Sequence, residues 1–196
     1  MTLYDVARGI AKMFLPIIYR LKFEGIENIP QDKSFILCSN HISFLDPVFI
    51  VLKIKSQCFF MGKQELFKNR IFGYLFRKLG AFPVNRGKGD TVAVEYAESL
   101  VKDGKIFAIF PEGTRSKRHE MGEFKPGAFK FAEKAGVPIL PVTVDGGYHL
   151  FEETGSYQAP HIKVTIHPLV HSEEMDKHAQ KEAQKEIENT IRSALD

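Results

Sequence analysis

The residues with the clearest chemical potential are His41 and Asp46, in the segment Asn-His-Ile-Ser-Phe-Leu-Asp-Pro that follows the apolar run at residues 34–39. Four residues separate the two, and a tight turn can close that distance so that the carboxylate contacts an imidazole nitrogen. Such a contact would orient the ring and stabilise the imidazolium that forms when His41 accepts a proton. The pair is therefore either a general base with its orienting group or a structural hydrogen bond of a loop.

The sequence contains no G-x-S-x-G turn, which would present an enzyme serine to such a base. Ser43 lies nearby in the chain, but it has no such setting. The interpretation we favour is that the base acts on a hydroxyl group of the substrate.

Two further segments combine an arginine with glycine. Residues 80–87 contain Arg86, and residues 110–116, Phe-Pro-Glu-Gly-Thr-Arg-Ser, contain Arg115 directly after an apolar run. Arginine suits forked hydrogen bonding to phosphate, and glycine lets a ligand approach the backbone closely. The alternative is that both segments are surface turns with a solvated or salt-bridged arginine.

Short apolar runs alternate with helical patterns along the chain. Strands are predicted at residues 34–39, 56–60, 106–110, 137–144 and 163–170, and helices at 91–102, from 126 to 136 and at 172–195. This alternation predicts an α/β layered fold with a mixed, largely parallel sheet flanked by helices. We assign residues 23–196 to one domain and residues 1–22 to an N-terminal amphipathic helix.

The N-terminal segment has apolar residues at helical spacing, interrupted by Arg8, Lys12 and Arg20. These charges leave no run of about 20 apolar residues, so the segment is not predicted to span a bilayer. It can either lie in a membrane interface or pack its apolar face on the domain. If it lies in the interface, charge reversal at the three cations should release the protein from anionic vesicles.

Composition restricts the partners and cofactors. The net charge of +3 and the pI near 8.7 favour anionic partners such as phosphate groups or acidic lipids. Nucleic acid is not indicated, because the longest basic cluster is the short run at residues 116–119. Cys38 and Cys58 lie in apolar runs and read as core residues, so neither a disulfide framework nor a metal site is expected.

Taken together, these blocks strongly resemble those of the glycerolipid acyltransferases, whose best-known members are 1-acyl-sn-glycerol-3-phosphate acyltransferases. His41 and Asp46 match the family's N-H-x-x-x-x-D block, and residues 110–116 match its F-P-E-G-T-R-S block. Residues 80–86 and 139–144 are similar to its second and fourth blocks. Four blocks in the family's order are much more specific than any one of them.

The resemblance implies direct transfer of a fatty acyl group from acyl-CoA or acyl-carrier protein to the sn-2 hydroxyl of 1-acyl-glycerol-3-phosphate, forming phosphatidic acid. His41 would be the general base and Asp46 its partner, with no cofactor and no acyl-enzyme. By the same analogy the acceptor phosphate and its surroundings would be bound by Lys63, Arg86, Glu112, Gly113, Thr114 and Arg115.

The family also implies a peripheral protein at the cytoplasmic face of a membrane with anionic lipids, because the acceptor resides in the bilayer. Related acyltransferases with another acceptor, such as glycerol-3-phosphate, a lysophospholipid or an amino-lipid, share the His/Asp block. A lipid-binding protein without turnover and a thioesterase or lipid hydrolase are the remaining alternatives.

Overall fold

The computed structural model describes residues 1–31, 33–85, 90–116, 120–125 and 129–195. Within these ranges seven strands form one sheet, in the order β1-β7-β6-β2-β5-β3-β4. The strands are β1 Lys22–Glu24, β2 Ile36–Ser39, β3 Cys58–Lys63, β4 Ala81–Val84, β5 Ile106–Ile109, β6 Ile139–Asp145 and β7 Lys163–Ile166. The five strands from β6 to β4 are parallel, and β7 pairs antiparallel with β6. The predicted mixed, largely parallel sheet is confirmed.

Helices cover both faces of this sheet, which is why β2 and β5 are buried along their whole length. One face carries α1 and α2, and the other carries α4, α5 and α6. The helices are α1 Leu3–Tyr19, α2 Asp46–Val51, α3 Arg70–Lys78, α4 Thr91–Lys102, α5 Lys130–Ala135 and α6 Lys177–Ser193. Short 3₁₀ turns add Ile26–Asn28, Gln64–Phe67, Gly147–Leu150 and Ser172–Glu174.

Local signals set most of the element boundaries. Asp90 caps α4 by accepting a hydrogen bond from the Ala93 N–H (3.1 Å), and the helix has the predicted bounds. The helix predicted from residue 126 begins outside the described residues, and its last part, α5, ends before Gly136 in the left-handed region (φ 60°) as expected. Strand β7 ends at Ile166, earlier than predicted, because Pro168 has no N–H to continue the ladder.

Helix α1, Leu3–Tyr19, lies within the predicted segment 1–22, and its two sides have different surroundings. Tyr4 and Tyr19 are buried in the domain, and Arg8 donates to the carbonyl oxygens of Ile54 and Lys55. The opposite side is a row of exposed apolar residues: Leu3, Ile10, Met13, Phe14, Ile17 and Ile18. The helix therefore packs on the domain and also presents an apolar face to the surroundings.

Two of the three cations of this segment are engaged within the protein. Besides Arg8, the Arg20 guanidinium contacts His161 Nε2 at 2.9 Å. Charge reversal at Arg8 or Arg20 would therefore disturb the packing of the helix as well as any lipid contact. In the described part of the chain, no helix is long and apolar enough to cross a bilayer.

Candidate active site

The predicted site residues that the structure describes lie at or near the carboxyl edge of the sheet, where β2 and β5 end side by side. Because these strands are parallel neighbours, the loop after β2 and the loop after β5 leave the sheet at the same place. Two hydrogen bonds join these loops. The Ser116 N–H donates to the His41 carbonyl oxygen (2.9 Å), and the His41 N–H donates to Glu112 Oε1 (2.6 Å).

The predicted contact between His41 and Asp46 is present. Nδ1 of the imidazole lies 3.0 Å from Oδ2 of the carboxylate, and the same oxygen accepts the backbone N–H groups of Ile42 and Ser43, each at 2.8 Å. Asp46 is fully buried, and burial raises the pKa of its carboxyl group, whereas the hydrogen bonds from His41, Ile42 and Ser43 oppose that rise. The three donors therefore offset part of the free energy lost on burying the carboxylate.

This hydrogen bond also determines which imidazole nitrogen is available for catalysis. With Oδ2 of Asp46 as acceptor, the neutral His41 ring carries its proton on Nδ1 and the lone pair on Nε2, a tautomer assigned from the hydrogen-bond network. The ring stacks on Phe110, with centroids 4.1 Å apart and planes inclined by 21°. The side chain is 15% exposed, so a substrate can reach the ring while its orientation is fixed.

Ser43 is not placed as a nucleophile. The residue is 2% exposed, and its Oγ accepts the Leu45 N–H at 3.4 Å while its carbonyl oxygen accepts the Asp46 N–H at 3.3 Å. These contacts shape the turn that returns Asp46 to the histidine. They agree with the interpretation that the reacting hydroxyl belongs to the substrate.

Glu112 joins three segments of the site. Its Oε1 accepts the His41 N–H, and its Oε2 accepts the Gly122 N–H at 2.8 Å. The residue is 5% exposed, and burial raises the pKa of its carboxyl group to about 7, although the two N–H donors act in the opposite direction. Gly113, next in the chain, adopts φ +73°, a left-handed backbone conformation that favours glycine.

The remaining predicted residues are more exposed. Arg115 is about half exposed, and its Nη1 lies 3.4 Å from Glu152 Oε1; Thr114 is exposed beside it. Lys63 is exposed at the carboxyl end of β3. Arg86 lies outside the described residues. Binding of substrate by these residues stays a prediction.

Several residues that support the site are not among the predicted site residues. Asn40 is fully buried, and its side chain forms two hydrogen bonds to β6. It accepts the Val144 N–H (2.8 Å) and donates to the Val144 carbonyl oxygen (2.9 Å). Glu152 holds Arg115 and also accepts the Phe44 N–H at 3.3 Å. Gly147 lies against the His41–Asp46 pair, since an added Cβ would be 2.9 Å from Asp46 Oδ1. The last two lie more than 30 residues beyond the blocks they support, so only the folded chain reveals them.

In the described part of the chain, no group of three or more His, Cys, Asp or Glu side chains has the arrangement of a metal site. A buried aspartate that orients a histidine at the carboxyl edge of an α/β sheet is the arrangement of a general-base enzyme. The chain belongs to the acyltransferase family, whose profile, described as Acyltransferase, matches residues 20–145. That range contains the His41–Asp46 pair and both arginine segments.

Individual relatives agree with the family. A chloroplastic 1-acyl-sn-glycerol-3-phosphate acyltransferase of Arabidopsis thaliana is 32% identical over 176 residues, which cover 85% of this chain and 49% of the relative. The enzyme of that name from Streptococcus pneumoniae is 35% identical, covering 73% and 54%, and that from Bacillus subtilis is 30% identical, covering 77% of each. The chain thus spans about half the length of the first two relatives.

The fold is similar to a solved structure. The 1-acyl-sn-glycerophosphate acyltransferase PlsC from Thermotoga maritima superposes with a TM-score of 0.77 at 28% identity, covering 98% of this chain and 81% of that one. Its name, like those of the sequence relatives, refers to acylation of a lysophosphatidic acid.

Proposed function

We propose that the protein transfers a fatty acyl group from acyl-CoA or acyl-carrier protein to the sn-2 hydroxyl of 1-acyl-glycerol-3-phosphate, forming phosphatidic acid. The observation that carries this proposal is the 3.0 Å contact between His41 Nδ1 and the buried Asp46 Oδ2, which leaves Nε2 as the base. The names of the relatives from plants and bacteria support the choice of acceptor.

In the proposed reaction, His41 Nε2 takes the proton of the sn-2 hydroxyl as that oxygen attacks the thioester carbonyl carbon. The Asp46 carboxylate stabilises the imidazolium through Nδ1–H, and a tetrahedral intermediate forms. When the intermediate collapses, its C–S bond breaks and the leaving thiolate takes the proton from Nε2. A positioned base of this kind contributes about 10² to 10⁴ in rate. No acyl-enzyme and no cofactor take part.

Binding of the acceptor phosphate would hold the hydroxyl beside the base. In this proposal Arg115 and Arg86 bind the phosphate, with help from Lys63 at the end of the neighbouring strand. Arg115 suits this role because Glu152 fixes one side of its guanidinium fork and the partly exposed remainder can bind a second anion. Such positioning can supply roughly 7–11 kcal/mol of the barrier reduction, so it outweighs the base alone.

The remaining predicted residues would complete the acceptor site. Glu112 would contribute by holding the His41 backbone, and Gly113 by giving the chain a turn that no other residue adopts easily. Thr114 offers an exposed hydroxyl beside Arg115 as a further donor to the acceptor.

Helix α1 would give the protein access to a lipid acceptor. Its row of exposed apolar residues, centred on Phe14 and Ile17, is suited to the interface between headgroups and acyl chains. The protein would therefore be peripheral, attached at the cytoplasmic face by this helix.

The acceptor is tested by supplying a labelled acyl thioester with each candidate in mixed micelles: 1-acyl-glycerol-3-phosphate, glycerol-3-phosphate, a lysophospholipid with a larger headgroup, or none. The proposal predicts phosphatidic acid from the first and little product from the others. Preferred acylation of another acceptor would change the substrate, and release of free fatty acid without acceptor would identify a thioesterase. No transfer to any acceptor, with either acyl-CoA or acyl-carrier protein as donor, would favour a lipid-binding protein.

A further inference from the structure

A second apolar surface, separate from the exposed face of α1, lies on the turn Gln64–Phe67 and on α3. Leu66, Ile71, Phe72 and Tyr74 are 42%, 77%, 56% and 62% exposed. We call these four residues the α3 surface. Single exposed apolar residues are ordinary, but four large ones within nine positions form a patch of the kind that marks an interaction site.

The α3 surface is surrounded by positive charge. The segment 63–78 contains one carboxylate, Glu65, and five cations: Lys63, Lys68, Arg70, Arg77 and Lys78. Its surplus of four positive charges exceeds the net charge of +3 for the whole chain. Among the described residues, none of these five cations forms a salt bridge; Arg77 lies instead over the Phe67 ring and Lys78 over the Tyr74 ring.

The α3 surface lies on the same face of the sheet as α1. Gly62 points to the same side of β3 as Phe60, which packs in the core cluster that contains Tyr19. A Cβ on Gly62 would meet Phe67 at 3.0 Å and Leu66 at 3.7 Å, so the turn before α3 covers that side of the strand.

Residues 56 and 57 connect the two helices on this face. Tyr4 of α1 donates to the Ser56 carbonyl oxygen (3.5 Å), and the Gln57 amide donates to the Lys78 carbonyl oxygen at the end of α3 (3.2 Å). The N-terminal end of α1 and the C-terminal end of α3 are therefore fixed to the same short stretch of chain.

We propose that the α3 surface is a second membrane-contact site, which binds an anionic bilayer together with α1. Ile71, Phe72 and Tyr74 enter the boundary between headgroups and acyl chains, while Lys68 and Arg70 bind lipid phosphates. The charge surplus selects an anionic lipid surface over an apolar protein partner, and the exposed face of α1 is a second apolar area on the same face of the sheet. A single interfacial helix leaves the protein free to rotate about that helix, whereas a second contact fixes the orientation of the His41 edge.

This inference goes beyond the proposed acyl transfer and can be tested without any activity. The sequence contains no tryptophan, so Phe72→Trp gives a protein with a single tryptophan, which lies on the α3 surface. Adding vesicles that contain phosphatidylglycerol should shift its emission to the blue, and brominated lipids should quench it. Asn189→Trp, at an exposed position of α6 on the other face, is the matched control and should stay unshifted.

Ile17→Trp on α1 separates the two contacts. A blue shift in Ile17→Trp without one in Phe72→Trp would assign binding to α1 alone and overturn the proposal. Absence of a shift in both variants would overturn it as well, as would an equal shift in Asn189→Trp. Circular dichroism melts of each variant establish that the fold is retained.

Charge neutralisation gives an independent measurement. Lys68→Gln/Arg70→Gln should weaken partition into anionic vesicles by roughly 30-fold and leave binding to neutral vesicles nearly unchanged. Lys181→Gln/Lys185→Gln removes the same charge from exposed positions of α6, on the other face, and should have little effect. Equal weakening by both pairs would show that only net charge matters and would contradict a specific site.

Discussion

Replacing Glu112 by glutamine should change how the stability of the protein depends on pH. The carboxyl group has an ordinary pKa of 4.5 and a pKa of about 7 in the folded protein, because it is buried. The folded state therefore binds the Glu112 proton more tightly than the unfolded state does. The resulting stability is fully present below pH 4.5 and is lost as pH rises through 7.

The size of the effect follows from this difference in pKa. With about 1.4 kcal/mol for each pKa unit, the contribution of Glu112 to the free energy of unfolding should fall by about 2–3 kcal/mol between pH 5 and pH 8. Glu112→Gln does not titrate, so its stability lacks this decline. The glutamine amide can accept the His41 N–H but cannot accept the Gly122 N–H, which adds a constant loss of about 1–3 kcal/mol.

Thermal melts of wild type and Glu112→Gln from pH 5 to pH 8 measure this difference directly, because all other titrating groups are common to both proteins. The gap in melting temperature between them should narrow by about 5–10 °C as the pH rises. A gap that stays constant, or widens with pH, would show that Glu112 is already ionised throughout and would refute the argument from burial.

Three other substitutions test the contacts that position His41 and Arg115. Asp46→Asn should lower kcat by about 10⁴ with little change in KM, because the asparagine amide favours the wrong His41 tautomer; a kcat within tenfold of wild type would contradict this. Gly147→Ala places a Cβ 2.9 Å from Asp46 Oδ1 and should destabilise the protein by about 1–3 kcal/mol in denaturant titrations. Glu152→Gln weakens the ion pair that orients Arg115, so KM for the acceptor should rise more than kcat falls. A decrease in kcat alone would argue against phosphate binding by Arg115.

Much of the fold follows from signals that act within a few residues. The α4 boundaries were predicted because Asp90 caps the first turn with its own side chain and Gly104 follows the last turn. The contact of His41 with Asp46 was predicted for the same reason, since one turn of chain brings the two together. In each case the partners are at most five residues apart.

Other features depend on neighbours that the sequence does not reveal. Helix α3 was not predicted, because Gly73 at its centre is a weak helix former; in the fold that glycine allows close packing, since a Cβ there would lie 2.8 Å from the Phe67 carbonyl oxygen. The bond from Asn40 to Val144 joins residues 104 positions apart, and that from Arg115 to Glu152 joins residues 37 apart. Such contacts arise from the strand order, which local patterns do not determine.

The account rests most directly on His41 as the base for direct acyl transfer. The decisive measurement is the rate of phosphatidic acid formation from a labelled acyl thioester and 1-acyl-glycerol-3-phosphate, by wild type and by His41→Ala, with vesicle binding and melting temperature measured for both. We predict that the variant folds and binds vesicles as wild type does but loses at least a hundredfold in kcat, the smallest effect expected for a removed base. Transfer by His41→Ala at a rate close to that of wild type would contradict the account.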